Sequence, residues 1–202
     1  MGKKVTVFGS FVVDLMSRAP HLPVPGETVK GSIFKMGPGG KGFNQGVAAH
    51  KAGADVAMVT KLGKDTFANV ALDTMHALSM DTAHIFQTEE AETGAALIMV
   101  DEKSSQNKIV VVLGACNSIT EAEVESLSGL LSESEYLLTQ LETNVSAVEK
   151  LVKMAKERGV KVILNTAPIQ PISDVLLSGV DLITPNEVEA EILTGVPITD
   201  EE

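Results

Sequence analysis

Asp14, Lys41, Asn44 and Glu142 bring two carboxylates, an ammonium and an amide to points where the chain passes from one kind of segment to another. Such a set suits a polyol, because every sugar hydroxyl both donates and accepts and the four side chains offer both roles. Each is an ordinary surface residue when taken singly, so the case rests on shared placement. Lys41 and Asn44 belong to the run Gly37-Pro38-Gly39-Gly40-Lys41-Gly42-Phe43-Asn44, which holds four glycines in six residues. Inside a helix or strand each glycine costs about 0.5–1 kcal/mol, so the run reads as a loop wanted for its backbone shape. Val47, Ala48 and Ala49 lead to Gly53 as a short helix with a glycine stop, which places the loop at a helix N-terminus. Unpaired N–H groups there favour oxyanions and hydroxyls.

Other chemistries fit these residues less well. Gly37, Gly39 and Gly42 match Gly-x-Gly-x-x-Gly, but a dinucleotide fingerprint follows the first strand, and Val5–Gly9 is instead followed by Ser10-Phe11-Val12-Val13-Asp14. A Walker loop needs Ser or Thr after its lysine, where Gly42 stands. His21, His50, His76 and His84 are scattered without ligand spacing and compose no Ser-His-Asp arrangement.

The segments that would position the four residues alternate between strand and helix. Val5–Gly9 is a β-branched strand with Asp14 just beyond its carboxyl end. From Leu15 to Met36 the prolines Pro20, Pro23 and Pro25 punctuate short pieces, and Thr28–Lys35 reads as a strand with no helix after it. Strand Asp55–Thr60 leads to a helix capped by Asp65 or Thr66, with Phe67, Val70, Ala71, Met75 and Leu78 along its core face. Thr82–Phe86, Gly94–Val100 and Lys108–Leu113 are strand-like, the last two forming a hairpin around 101–107. All three are expected to join Thr28–Lys35 in a small sheet that covers a cleft.

After Thr120, whose Glu123 completes a capping box, a helix is expected to about Leu131. Strand Tyr136–Leu141 ends at Glu142, helix Val145–Glu157 follows, and strand Val160–Leu164 ends at Asn165. A short helix near Asp174–Leu177, a strand at 181–184 and a helix opening at Pro185-Asn186-Glu187 complete the series. This rhythm predicts an α/β fold with a doubly wound, mostly parallel sheet. Asp14, Glu142, Asn165 and Asn186 then stand at strand carboxyl ends, where open α/β sheets bind ligands.

With 202 residues and 44% hydrophobic content the chain can bury one large core. Its formal charge of −11 disfavours nucleic acid and anionic membrane as partners. The single cysteine, Cys116, excludes an intramolecular disulfide. No apolar run approaches the roughly 20 residues of a membrane span, and the N-terminus leads into a strand, so a cytoplasmic location is expected.

Gly9-Ser10 with Asp14, Gly39-Gly40-Lys41-Gly42-Phe43-Asn44-Gln45, Gln140-Leu141-Glu142 and Pro185-Asn186-Glu187-Val188-Glu189 resemble, in order, the motifs of the ribokinase-like (pfkB) carbohydrate kinases. The likeness is nearest to the ribokinase and deoxyribokinase branch. It implies an ATP-dependent kinase acting on the primary hydroxyl of a pentose such as ribose or 2-deoxyribose. It also implies Asp14, Gly40, Lys41, Asn44 and Glu142 as sugar ligands, and Asn186 beside the ATP phosphates. Asn186 and Glu189 would order the water shell of Mg2+, so that Glu189 reaches the metal through water. A monovalent cation such as K+, a lid with strands from about 15–36 and 94–113, and a homodimer formed through that lid are further implications.

Two departures from the pattern matter. The family's second signature, a Gly-Ala-Gly-Asp loop with the aspartate base and the phosphate anion hole, does not occur in these residues. The resemblance places that aspartate, and most of the adenine pocket, beyond Glu202, so no catalytic base is expected among residues 1–202. The 202 residues therefore read as the N-terminal, sugar-binding part of one ribokinase-like domain, expected to be inactive as a kinase alone. A non-catalytic sugar-binding or dimerising fragment, or another substrate of the family, is the alternative. The second departure is Val12, which stands where such kinases carry an asparagine that contacts the sugar.

Overall fold

The computed structural model describes residues 4–198. Its larger sheet has six strands, all parallel: β1 (Lys4–Phe8), β4 (Asp55–Gly63), β5 (Ile85–Thr88), β8 (Tyr136–Thr139), β9 (Lys161–Leu164) and β10 (Leu182–Ile183), in the order β10-β9-β8-β1-β4-β5. The central strands β1 and β4 are buried on both faces, as their β-branched runs require. Helices α1 (Lys41–Lys51) and α2 (Thr66–Ala77) cover one face over Val7, Met58 and Met75. The helices α3 (Glu121–Ser126), α4 (Ser128–Glu133) and α5 (Val145–Glu157) cover the other, over Phe8, Leu137 and Leu151. The expected doubly wound α/β architecture is therefore present.

A second sheet stands beside it: β2 (Val12–Ala19), β3 (Ile33–Gly39), β6 (Thr93–Asp101) and β7 (Asn107–Gly114), in the order β3-β2-β6-β7. β2 pairs parallel with β6, and the other two contacts are antiparallel. The chain passes between the sheets four times: through Gly9-Ser10-Phe11, through Gly40, through the segment before Thr93, and through Gly114.

Several sequence expectations are corrected here. The small sheet does not take Thr82–Phe86, because β5 pairs with β4 at the edge of the large one, Thr60 opposite Ile85. A strand-like run does not state which sheet it joins, and after α2 the parallel edge beside β4 is the nearest site for a right-handed crossover. The strand expected over Thr28–Lys35 begins pairing only at Ile33 and runs to Gly39. Val12–Ala19 is a full strand, so Asp14 lies within β2 and not in a loop after β1. The helix expected to Leu131 divides at Leu127, whereas the short one near Asp174–Leu177 is present as α6 (Asp174–Ser178). Glu202, beyond which the family resemblance puts the aspartate base, lies outside the described residues.

The glycine run is also less of a loop than its composition suggests. Gly37 and Gly39 lie in β3 and Gly42 in α1, with only Gly40 between the elements. Close approach explains why these propensities are overridden. A Cβ on Gly42 would come within 2.6 Å of Gly9 Cα, and one on Gly39 would overlap the Asp14 carboxylate.

Candidate functional site

Val12, Asp14, Gly40, Lys41, Asn44 and Glu142 all line one hollow of about 300 Å³ between the two sheets. Its polar wall combines the first turn of α1, the chain end after β8, and Asp14 reaching from β2. Gly40, between β3 and α1, caps the helix with φ of 93°, and a Cβ there would lie 2.8 Å from Ser10 O and 2.9 Å from Phe11 Cα. Only glycine meets both demands, which lets the start of α1 pack directly against the passage from β1 to β2 at the edge of the hollow.

Glu142 is held from behind. Its Oε2 accepts the Lys41 backbone N–H at 2.8 Å and the Ser10 hydroxyl at 2.6 Å, so the carboxylate also benefits from the positive end of α1. Asp14 faces the same hollow. Partial burial and then repulsion from Glu142 raise its carboxyl above the ordinary aspartate range. Ligand hydroxyls donating to Asp14 relieve that penalty, since hydrogen bonds to a carboxylate favour its charged form.

The opposite wall is aliphatic: Ala96, Ile98, Ile109 and Val111 of the second sheet, continued by Val12. The sequence reading did not single out these four or Ser10. Alternation along the β6–β7 hairpin was the available signal, because Ala96 and Ile98 share a face and pair with Val111 and Ile109. Cys116, buried beneath the passage from β1 to β2, accepts the Phe11 N–H at 3.3 Å, and burial pushes its thiol pKa up. This is a structural contact, not an activated nucleophile.

Asn186 and Glu189 line none of this hollow. They close the N-terminus of α7 (Glu187–Thr194) in a capping box, with Glu189 N–H donating to Asn186 Oδ1 at 2.8 Å. The buried Glu189 carboxylate accepts from Thr166 Oγ at 2.9 Å and from Asn186 N and Nδ2 at 3.1 Å each. Asn165 spends its amide on Thr184, 2.9 Å from the carbonyl oxygen, and so ties β9 to β10.

A two-sheet α/β body with two carboxylates, an ammonium and an amide facing one hollow between the sheets has the donors and acceptors that suit a polyol. Residues 2–202 match the model of the pfkB family carbohydrate kinases, and the chain belongs to that family. It is 44% identical to the ribokinase of Haemophilus influenzae over all 202 of its residues, which span 66% of that relative. It is 33% identical to the deoxyribokinase of Salmonella typhimurium, covering 96% of this chain and 63% of that one. The solved structure of Arabidopsis thaliana ribokinase complexed with ribose and ATP superposes with a TM-score of 0.88 at 27% identity, covering 100% of this chain and 65% of the other. The chain thus spans about two thirds of the length of the relatives it matches.

Proposed function

We propose that this chain is the sugar-binding part of an ATP-dependent pentose kinase that phosphorylates the primary hydroxyl of ribose or 2-deoxyribose. The observation that carries the reading is the convergence of Val12, Asp14, Gly40, Lys41, Asn44 and Glu142, drawn from three separated segments, on one hollow. Asp14 and Glu142 accept from sugar hydroxyls and Lys41 and Asn44 donate through their side chains, while the backbone N–H groups of Lys41 and Phe43 are taken by Glu142 and Ser10. The sugar oxygen attacks the γ-phosphorus as the bond to the departing ADP breaks, and its proton passes to the aspartate of the family's second signature.

Asn186 and Glu189 fit the nucleotide side. Glu189 is engaged in hydrogen bonds at the helix end, which suits a hydrated Mg2+ reached through water better than direct ligation. Among the described residues no three His, Cys, Asp or Glu gather into a metal cage. The ion would neutralise the phosphate oxygens.

The second sheet acts as the lid, excluding water from the transfer. Phe34, Val110 and Val112 on its outer face are 68%, 59% and 61% exposed, which supports a homodimer formed through the lid. A cytoplasmic location accords with the described residues, in which no helix is long and apolar enough to cross a membrane.

Calorimetric titration of the chain with ribose and 2-deoxyribose tests the reading. Saturable heat with either is expected, weakened about 10- to 150-fold in Asp14→Ala; silence with both sugars overturns it.

A further inference from the structure

Gln45 and Gln140 stand inside the two segments that supply Lys41, Asn44 and Glu142, yet neither lines the hollow. They touch each other instead: Gln140 Nε2 donates to Gln45 Oε1. Gln140 is wholly buried, and its own Oε1 finds no partner among the described residues. A buried amide with half its capacity unmet is unfavourable, and an apolar residue of the same size would avoid the penalty. Its presence calls for a reason of position.

The geometry supplies one. Glu142 accepts the N–H of Lys41, the first residue of α1, and Gln140 reaches Gln45, one helical turn further along. Lys41 and Gln45 are four residues, about 6 Å, apart along α1, so the two contacts fall on successive turns of the helix. They form two rungs between the end of β8 and α1. The space between is tight: a Cβ on Gly9 would overlap the Gln140 amide and lie 2.8 Å from Gly42 Cα. Phe43, buried and with its N–H on Ser10 O, holds the start of α1 on the β1 side; the Gln45–Gln140 contact adds a hold one turn further along, on the side of Glu142.

We propose that Gln140, through Gln45, is a positioning residue that sets Lys41 and Asn44 at a fixed spacing from Glu142 and so pre-organises the sugar site. This rests on the pentose-kinase reading for its functional consequence, while the rung itself is testable without it. Gln45→Met and Gln140→Met keep volume and remove the hydrogen bond; each is expected to weaken pentose binding about tenfold by calorimetry. The double variant should be no weaker than the weaker single, because the two residues act as one unit. Gln45→Glu leaves Gln140 an acceptor and should bind as the wild type does, an outcome that mere loss of packing would not give. Backbone amide exchange in the first turn of α1, measured without sugar, should quicken about tenfold in Gln45→Met and not in Gln45→Glu.

Unchanged exchange in Gln45→Met overturns the rung. Unchanged affinity in a Gln45→Met chain whose wild type binds pentose overturns its role in the site. If the wild type binds no pentose, the proposed function falls, and the exchange measurement still decides the rung. Should Gln140→Met fail to fold, the two substitutions at the half-buried Gln45 carry the test.

Discussion

Val7, Val59 and Val162 in the large sheet are fully buried, whereas Val110, Val111 and Val112 in the small one are 59%, 44% and 61% exposed. The same residue type, in the same strand conformation, meets opposite surroundings. The large sheet is covered by helices on both faces and carries its own core. The small sheet buries only a few side chains against the body, Val13 among them, so its place depends on those contacts, on four chain passages and on whatever occupies its outer faces. Stability is thus concentrated in the body. The hollow takes its aliphatic wall from the lid and most of its polar wall from the body. On the pentose-kinase reading, a sugar bridging the two walls would cover side chains of the small sheet that are exposed here.

The largest expected effect breaks the body and spares the lid. Leu151→Ala, on the buried face of α5, should lower unfolding free energy by about 2–5 kcal/mol through the cavity it leaves. Val110→Ala in the monomeric protein should change it by no more than about 0.5 kcal/mol. Urea unfolding of the two variants measures both, and equal losses would mean that the lid carries a core of its own.

Ligand contacts across the gap come next. Asp14 is the one carboxylate that the lid contributes to the hollow, and charged hydrogen bonds are worth roughly 1.5–3 kcal/mol. Asp14→Ala should therefore weaken pentose binding by about 10- to 150-fold with the fold intact. Its raised carboxyl also fixes a sign. Burial and Glu142 make the folded protein bind this proton more tightly than the unfolded chain does, so the residue's contribution to stability is present in acid and is lost as pH rises through the folded value. Asp14→Asn should accordingly stabilise the unliganded protein near neutral pH, with the gain fading toward acid. Thermal unfolding across pH checks this, and a gain that grows toward acid would reverse the assignment.

How much of this was legible beforehand follows the same division. Helix Val145–Glu157 and its stripe were readable because a buried face imposes its period on the sequence. So was the capping box at Thr120, because two side chains must satisfy specific backbone groups. The lid was less readable. Val12–Ala19 has no clean alternation, since both of its faces are partly covered, and the membership of Ile85–Thr88 depends on which open edge is nearest. Within the site, residue types announced Asp14, Lys41, Asn44 and Glu142. Ser10 and the Gln45–Gln140 contact act through neighbours that only the folded chain brings together.

The exposed lid faces predict a smaller, concentration-dependent effect. Phe34 and Val110 lie on the face turned away from the hollow, since Phe34 is opposite Ser17, Val110 is opposite Leu97, and Leu97 is opposite Leu15. Val110→Asp should weaken self-association about tenfold or more without lowering monomer stability, because a charge would be buried at an apolar interface. Sedimentation across concentration reads it, and an unshifted equilibrium would exclude this face as the interface.

The smallest effect concerns which pentose the lid prefers. In the pairing of β2, Val12 stands between Gly39 and Gly94, so no side chain from either neighbouring strand shares its row. Val12 itself is 3% exposed, and a Cβ on Gly94 would lie 2.9 Å from its Cγ1. One row on, Asp14 pairs with Gly37 and Ala96, and the row beyond carries Met16, Ile98 and Lys35. Asp14 is thus the single acceptor on this strip, whose next polar group, Lys35, stands two rows from Val12, and a hydroxyl pressed toward Val12 loses its water without gaining a partner in that row. Apolar pockets reject an added hydroxyl only modestly, about 10²-fold at most, and partial access to water reduces that to nearer tenfold here. The chain is therefore expected to bind 2-deoxyribose several-fold more tightly than ribose, with ribose still accepted. Val12→Asn supplies a donor and an acceptor in the same row and should equalise or invert the ratio of the two dissociation constants. A wild type that favours ribose, or a ratio unmoved by the substitution, would mean that Val12 only packs beneath the lid.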